Sequence, residues 1–485
     1  MRSRRRRAYV TMAIFSTLAF IVYNKGAGSG PLTSSSLDSN IAAYEKSESY
    51  DNNEESSSLQ DFSVFQWWHD QQPTRPPLTV AQICQQFQGP SVQRACLQRL
   101  HTARGYCSKR QSEEEVMKPV DGWEDGGDGD GGGGHVMNDS VVDVFSYRRG
   151  NKMAMYCSVH KVASTFWLRL FRFLNNDTGS PVSSPEALSK FKVHLAPFQS
   201  SRPLALAYLT RMLGPDDEEF RFMFTRDPYR RLWSVYIDKF VLPDFFFWSL
   251  HARAIKEYNY PDKERGKPFS NCLDVSFEEF VRYTVQAPSS PSAPSDDHLV
   301  PVFKTCNPCV FQPHFIGSLE NMTQDSQAVL DRLGLTKLAQ PKDFQQRVLE
   351  QIRTVTEFVY ESVVKRGSLR HCLSDDELQA RLIRAFILNG FLPSKLAEVR
   401  RTSVGSSVTD LLNMMKELFL LSKRSEKEVE AQKTRFFINA YDSLHWDLLY
   451  QIQGFYKEDF EAFGYDPEPA ELFAQRADRK QSLAV

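Results

Sequence analysis

The chain has 485 residues, of which 41% are hydrophobic, 12% aromatic and 25% charged, with 24 Gly, 25 Pro and 8 Cys. This composition excludes a disordered, collagen-like or disulfide-scaffold chain and supplies enough apolar surface for a large core. Lys and Arg number 59 against 60 Asp and Glu, a formal charge of -1, so there is no global positive field for nucleic acid and any anion site must be local.

The N-terminus carries a membrane signal. Residues 1–7 hold Arg2, Arg4, Arg5, Arg6 and Arg7, and Ala8 to Tyr23 follow without a charge. At helical rise that run reaches roughly 24 Å, short of a typical hydrocarbon core but tolerable in a thin early-secretory membrane. The expectation is a signal anchor over 8–23, with residues 1–7 cytosolic and the remainder lumenal. A cleaved signal peptide is the alternative, because Ala27, Gly28 and Ser29 are small residues after an apolar run. Glycosylation acceptors at Asn138, Asn176 and Asn321 accord with lumenal placement.

Residues 24–140 read as a lumenal stem with a flexible, Ser-, Asn- and acid-rich part to about Gln60 and aromatic, Cys-containing segments between Phe62 and Arg110. The Gly- and Asp-rich run from Asp121 to Gly134 marks a linker or surface insertion. In an oxidising lumen the cysteines are available for disulfides. CNPC at Cys306 to Cys309 reads as structural half-cystines, the alternatives being a redox pair or half a zinc site that has no second CxxC.

The main domain is expected over 141–470, with a tail at 471–485. KMAMYCS, Lys152 to Ser158, is an apolar run suited to a buried parallel strand, and Phe166, Trp167, Leu170, Phe171 and Leu174 then recur at helical spacing. FRFMFT, Phe220 to Thr225, repeats the strand, and Leu232, Trp233, Tyr236, Ile237 and Phe240 repeat the stripe. Both stripes read as core. Stretches at Gln286 to Asp297 and Arg401 to Ser407 read as loops, and from Leu373 onward the apolar periodicity predicts mostly helix.

The chemistry lies where each strand hands over to its helix, since open α/β sheets bind ligands at strand carboxyl ends. SVHKVAST, Ser158 to Thr165, combines helix N-terminal amides, one Lys and hydroxyls, a cradle for phosphate or sulfate that lacks the Walker A pattern. The plainer reading makes Ser164 or Thr165 a helix cap. In TRDPYRRLWSVYIDKF, Thr225 to Phe240, Arg226 leaves the strand end with a guanidinium suited to phosphate, and Ser234 offers a hydroxyl two turns into the helix. The alternative is an acid partner for Arg226 and simple packing for Ser234.

Together these loops resemble the cofactor-binding motifs of the Golgi carbohydrate sulfotransferases, a family that includes the chondroitin and dermatan 4-O-sulfotransferases. YCSVHKVASTFWLR, Tyr156 to Arg169, is similar to the family's YCxVPKVxxTNWKR stretch, and RDPYRRLWSVYIDKF, Arg226 to Phe240, to its RxPxxRLxSAYxxKF stretch. DDHLVP at Asp296, CNPC, HFIGSLENMTQD at His314 and YKEDFEAFGYDPE at Tyr456 continue the likeness in order. His160, Phe166 and Leu168 stand where the family has Pro, Asn and Lys, and Leu299 where it has an aromatic residue.

The resemblance implies an α/β, P-loop-like sulfotransferase fold with a central parallel sheet flanked by helices, a mostly helical C-terminal region, and a PAPS-dependent carbohydrate O-sulfotransferase of the Golgi membrane with single-pass type II topology. It implies that Lys161, Val162, Ala163, Ser164 and Thr165 hold the 5'-phosphosulfate of PAPS, with Lys161 neutralising the leaving oxygen, and that Arg226 and Ser234 hold the 3'-phosphate. No metal is required. The implied base is His194, with His298 as the alternative. The acceptor is a glycan, an anionic polysaccharide by preference, for which Arg148, Arg149 and Lys152, or Lys263, Arg265 and Lys267, are candidate contacts. Two other readings stay open: a non-catalytic PAPS- or glycan-binding protein on the same fold, and a P-loop phosphotransferase. The sugar, the position sulfated and the oligomeric state are not legible.

Overall fold

A computed structural model describes residues 78–116, 141–142, 144–150, 152–195, 204–205, 219–261, 274–287, 296–338, 342–365, 369, 373–398 and 407–474. The expected anchor at 8–23, Asn138, the linker at 121–134 and the basic cluster at Lys263, Arg265 and Lys267 lie outside those residues.

Two helices, α1 (Val80–Gln85) and α2 (Pro90–Val116), precede a four-stranded sheet. Its strands are β1 (Val144–Arg149), β2 (Lys152–Cys157), β3 (Glu219–Thr225) and β4 (Phe315–Ser318), lying side by side in that order. β2, β3 and β4 run parallel, with Tyr156 opposite Phe222 and Phe222 opposite Phe315. β1 instead pairs antiparallel with β2 through a tight connection at Gly150, so the expected parallel sheet is in fact mixed. The reason is local: a short connection can only turn the chain back on itself, whereas parallel strands need a long crossover. Every residue of β3 is buried, the phenylalanines and Met223 as a strand covered on both faces requires, and Glu219 and Arg221 because they pair with each other at 3.0 Å.

After β2 comes α3 (Ser164–Leu174), then the short α4 (Lys190–Leu195). After β3 comes α5 (Pro228–Tyr236), which starts on the Asp227 cap with Pro228 in its first turn and runs on into a π-helical turn, Ile237–Val241. A second π-helical turn, Phe247–His251, leads into α6 (Ala252–Asn259), and α7 (Phe277–Gln286) packs on α6. The CNPC segment follows the single-turn helix α8 (Val302–Thr305) and enters a second one, α9 (Pro308–Phe311), before β4 and α10 (Met322–Leu333). α11 (Phe344–Val359) follows, and from Leu373 onward the described chain is helical as the periodicity predicts: α12 (Asp375–Leu388), α13 (Val408–Ser422), α14 (Glu426–Asp442), α15 (Trp446–Phe455) and α16 (Lys457–Phe463). Side-chain caps at Asp343, Ser374 and Ser425, each answered three residues later by Gln or Glu, fix where α11, α12 and α14 begin.

Two apolar cores result. One packs α1, α2, α3 and α10 around the sheet, with Phe222, Trp167 and Phe315 at its centre. The other joins α5, α6 and α7 to α11 through α15. Their meeting is pinned by Arg169 of α3, whose buried guanidinium donates to the Leu188 carbonyl at 2.8 Å and to Thr354 Oγ1 of α11 at 3.3 Å.

The fold reaches further toward the N-terminus than the boundary near Val141, since the described residues 78–116 share the sheet-side core. α2 is fastened to the sheet by Arg99, which donates to Asp325 Oδ2 at 2.6 Å and to the Ile316 carbonyl. Among the described residues the cysteines form Cys84–Cys96, Cys107–Cys309 and Cys157–Cys306. The two cysteines of CNPC therefore pair outward, one to α2 and one to the tip of β2, which removes the redox-pair and half-zinc readings. Gly317 of β4 is required by the sheet's own packing: a Cβ there would lie 2.3 Å from the Phe224 ring.

Candidate active site

The two predicted loops meet at the carboxyl ends of β2 and β3. The first, residues 158–163, turns through left-handed backbone at Lys161 (φ 66°) and Ala163 (φ 64°), conformations that cost non-glycine residues of order 1 kcal/mol each and collect at functional sites. α3 then starts at Ser164 without a side-chain cap, so neither Ser164 nor Thr165 plays the capping part, and the first-turn amides point outward at the loop. Thr165 Oγ1 instead lies 2.9 Å from His194 Nε2.

The second loop is hydrogen-bonded to the first. Arg226 donates to the Lys161 carbonyl at 3.2 Å. Arg231, 1% exposed, donates through Nε to the His160 carbonyl at 3.1 Å and through its other nitrogens to the carbonyls of Val300 and Asp297. It thus holds three segments in register: the first loop, the second helix and the DDHLVP loop. Glu320 closes the opposite side, accepting from the Asp227 amide at 3.0 Å and from Ser318 Oγ at 2.6 Å. Tyr465, from the C-terminal FGY, lies 3.2 Å from Glu320 Oε2 and 3.0 Å from Thr225 Oγ1. Arg226 therefore has Glu320 near it, as the plainer reading expects, without a direct ion pair between them among the contacts of the described residues.

Lys161 faces Asp238 at 3.2 Å, and Asp238 is held from the other side by Lys190 at 2.9 Å. Lys239 stands 3.9 Å from the same carboxylate and pairs with Asp244 at 2.8 Å. Ser234, half-buried on α5, lies about one turn before Asp238.

Burial brings the Lys161 ammonium down to about 8 while Asp238 works to keep it charged. Asp238 is held well below the usual carboxylate range, the lysines overcoming its burial. Burial likewise lowers Arg226 to about 10, which leaves it charged.

The histidines converge. His160 stacks on His298, with centroids 4.0 Å apart at 13°, and its centroid is 6.1 Å from His194. Asp296 Oδ1 lies 2.7 Å from His298 Nδ1, so that nitrogen carries the proton and Nε2 is the free base. His251 extends the chain, 3.5 Å from Asp296. Burial and the nearby lysines keep His194 well below its ordinary value and His298 down to about 3, so both are neutral acceptors at working pH.

The structure thus brings together His160, Lys161, Thr165, His194, Arg226 and His298. It also gathers Lys190, Asp238, Lys239 and Arg231, which sequence reasoning passed over. One signal was available: Lys190 and His194 are four residues apart, and so are Ser234 and Asp238. The departures have plain explanations, since Leu168 is buried in the sheet-side core and Phe166 packs edge-on against Trp167 at 4.9 Å. Arg148, Arg149 and Lys152 are exposed at the amino end of β2, one strand length from the loops, which corrects their reading as acceptor contacts at this site.

Residues 147–388 match the family model described as "Sulfotransferase family". Carbohydrate sulfotransferase 12 of Mus musculus is 29% identical over 212 residues, 40% of this chain and 48% of that protein. Carbohydrate sulfotransferase 14 of Danio rerio is 30% identical over 186 residues, 37% and 46% of the two chains. Carbohydrate sulfotransferase 9 of Homo sapiens is 26% identical over 205 residues, 42% and 44%. The matched region spans about half the length of these curated relatives. No solved structure matches the chain.

Proposed function

This chain belongs to the sulfotransferase family, and on that premise we propose that it transfers a sulfuryl group from PAPS to a hydroxyl of a glycan, a glycosaminoglycan or glycoprotein sugar chain, in the Golgi lumen. The observation that carries the reading is the joining of the two loops, Arg226 to the Lys161 carbonyl and Arg231 to the His160 carbonyl, at the carboxyl ends of neighbouring parallel strands.

In this reading the α3 amides, Ser164 and Thr165 hold the 5'-phosphate, and Arg226 with Ser234 holds the 3'-phosphate. The fit is chemical: an uncapped helix N-terminus beside charged Lys161 and Arg226 suits a donor that carries an anionic phosphosulfate at one end and a second phosphate at the other. As the S–O bond to the phosphate breaks and a new S–O bond forms to the sugar, charge grows on the phosphate oxygen and Lys161 neutralises it. The sugar proton goes to neutral His194, which Thr165 orients. We further propose that residues 8–23 anchor the chain with its arginines cytosolic, and that Asn138, Asn176 and Asn321 carry glycans; Asn176 and Asn321 are exposed.

The test incubates the full chain with PAPS carrying radiolabelled sulfate and a panel of desulfated glycosaminoglycans and N-glycans, alongside Arg226→Ala, His194→Ala and His298→Ala. Transfer to one acceptor, lost in Arg226→Ala and His194→Ala, is expected. Survival of His194→Ala with loss in His298→Ala moves the base to the Asp296–His298 pair. PAPS binding without transfer to any acceptor favours a non-catalytic protein on the same fold. No PAPS binding overturns the proposal.

A further inference from the structure

Lys161, Lys190 and Lys239 converge on a single carboxylate. Asp238 takes Lys190 on both oxygens, at 2.9 and 3.2 Å, meets Lys161 at 3.2 Å on Oδ2, and has Lys239 3.9 Å from the same oxygen. All four side chains are largely buried, at 18% exposure or less. Among the described residues, only Lys239 of the three is ion-paired to a second acid, Asp244. Three ammonium groups and two carboxylates leave a surplus positive charge, in a place where burial is tolerated only when charge is matched. The lysines are also braced from behind: Lys190 lies over the Phe358 ring of α11 at 4.4 Å, and Lys239 over Phe247 at 4.7 Å.

Resting on the donor reading above, we propose that Asp238 is a built-in counter-ion to a three-lysine socket, that the sulfuryl end of PAPS competes with it for that socket, and that Lys190 is a further donor-binding residue. Asp238 sits in a π-helical turn, where one extra residue swings a side chain off the regular helical track, and one turn of α4 places Lys190 beside His194. A sulfuryl group bound there sits between Lys161 and the base that receives the sugar proton. The carboxylate keeps the lysines charged between turnovers and weakens donor affinity in return. Lys161 is faced by Asp238 and Lys239 from the helix after β3, by Lys190 from α4, by its neighbour His160 and by His298 from the DDHLVP loop, while His194 meets Lys190, Lys239 and Asp238, and Asp244 and Asp296 act through Lys239 and His298.

Equilibrium binding of PAPS and of adenosine 3',5'-bisphosphate, which lacks the sulfuryl group, is measured on the full chain without acceptor from about pH 6 to about pH 9. For Asp238→Asn the expected result is PAPS binding about tenfold tighter at the acid end, a much smaller change for the bisphosphate, and an alkaline limit of binding shifted to lower pH, because Lys161 loses the carboxylate that holds its proton. Lys190→Met loosens PAPS about tenfold, and Lys190→Arg restores it. A structural role alone moves melting temperature and both nucleotides alike. The inference is overturned if Asp238→Asn, folded, keeps the wild-type PAPS affinity and pH limit, if both nucleotides shift equally, or if Lys190→Met leaves PAPS binding unchanged. Wild-type chain that binds neither nucleotide overturns the donor reading itself.

Discussion

The sheet-side half and the helical half of this protein bury comparable apolar cores, yet they disclose themselves differently. In the sheet-side half, strand, loop and helix follow one another within a few residues, so an apolar run ending in SVHKVAST or TRDPYRR places polar groups at a known spot. In the helical half, the stripes of α11 through α15 state only that one face is covered, and many arrangements satisfy them. The site uses both halves: the loops come from the first, and α11 of the second braces Lys190 and Arg169. Local order makes function legible, and helical surroundings then tune it without announcing themselves.

The sharpest break of this comparison is Lys161→Met, which should lower transfer about a thousandfold with the melting temperature nearly unchanged, as expected when a charge on a leaving oxygen is lost. Single-turnover assays check it. A large fall in stability would mean that the loop lysine is structural. Next, Arg231→Met strands three carbonyls drawn from two loops, and should cost about 3 kcal/mol in denaturant unfolding together with most donor affinity. Loss of stability with donor affinity retained would show that the loops assemble without it.

A pH series gives an effect of about tenfold per unit. Lys161, lowered to about 8, is charged below that value and neutral above it, so wild-type donor binding falls as pH rises through about 8. His194 and His298, held well under their ordinary values, contribute no acid limb near 6. The smallest effect is expected from Phe358→Leu, which removes the ring beneath Lys190 and should raise KM for the donor about threefold with kcat unchanged. No change would confine the helical half to scaffolding.

Much of the site was readable because its residues lie within single loops. Lys161, Thr165 and Arg226 follow directly from the strand-to-helix grammar, whereas His194, with His298 as its alternative, came from the family resemblance alone. Asp238 and Lys190 escaped because their meaning is relational: 48 residues separate them in sequence, and nothing in either segment reveals the other. Arg231 was hidden beside Arg230, since adjacent arginines look alike until one proves buried and the other pairs with Glu471 at the periphery. The antiparallel β1 was missed because its alternation is short and ends in exposed arginines.

The disulfides carry a consequence for how the protein must be made. Cys157 and Cys306 are 149 residues apart, Cys107 and Cys309 are 202 apart, and both bridges end on the same four-residue CNPC. Each closes a loop worth about 5 kcal/mol in the chain-entropy account, one joining α2 to α9 and the other joining the end of β2 to the residue after α8. A host that keeps thiols reduced would yield a chain in which the end of β2, just before the first loop, is no longer tied to the CNPC segment. Production in an oxidising compartment, with a disulfide isomerase at hand, is therefore part of obtaining the folded molecule.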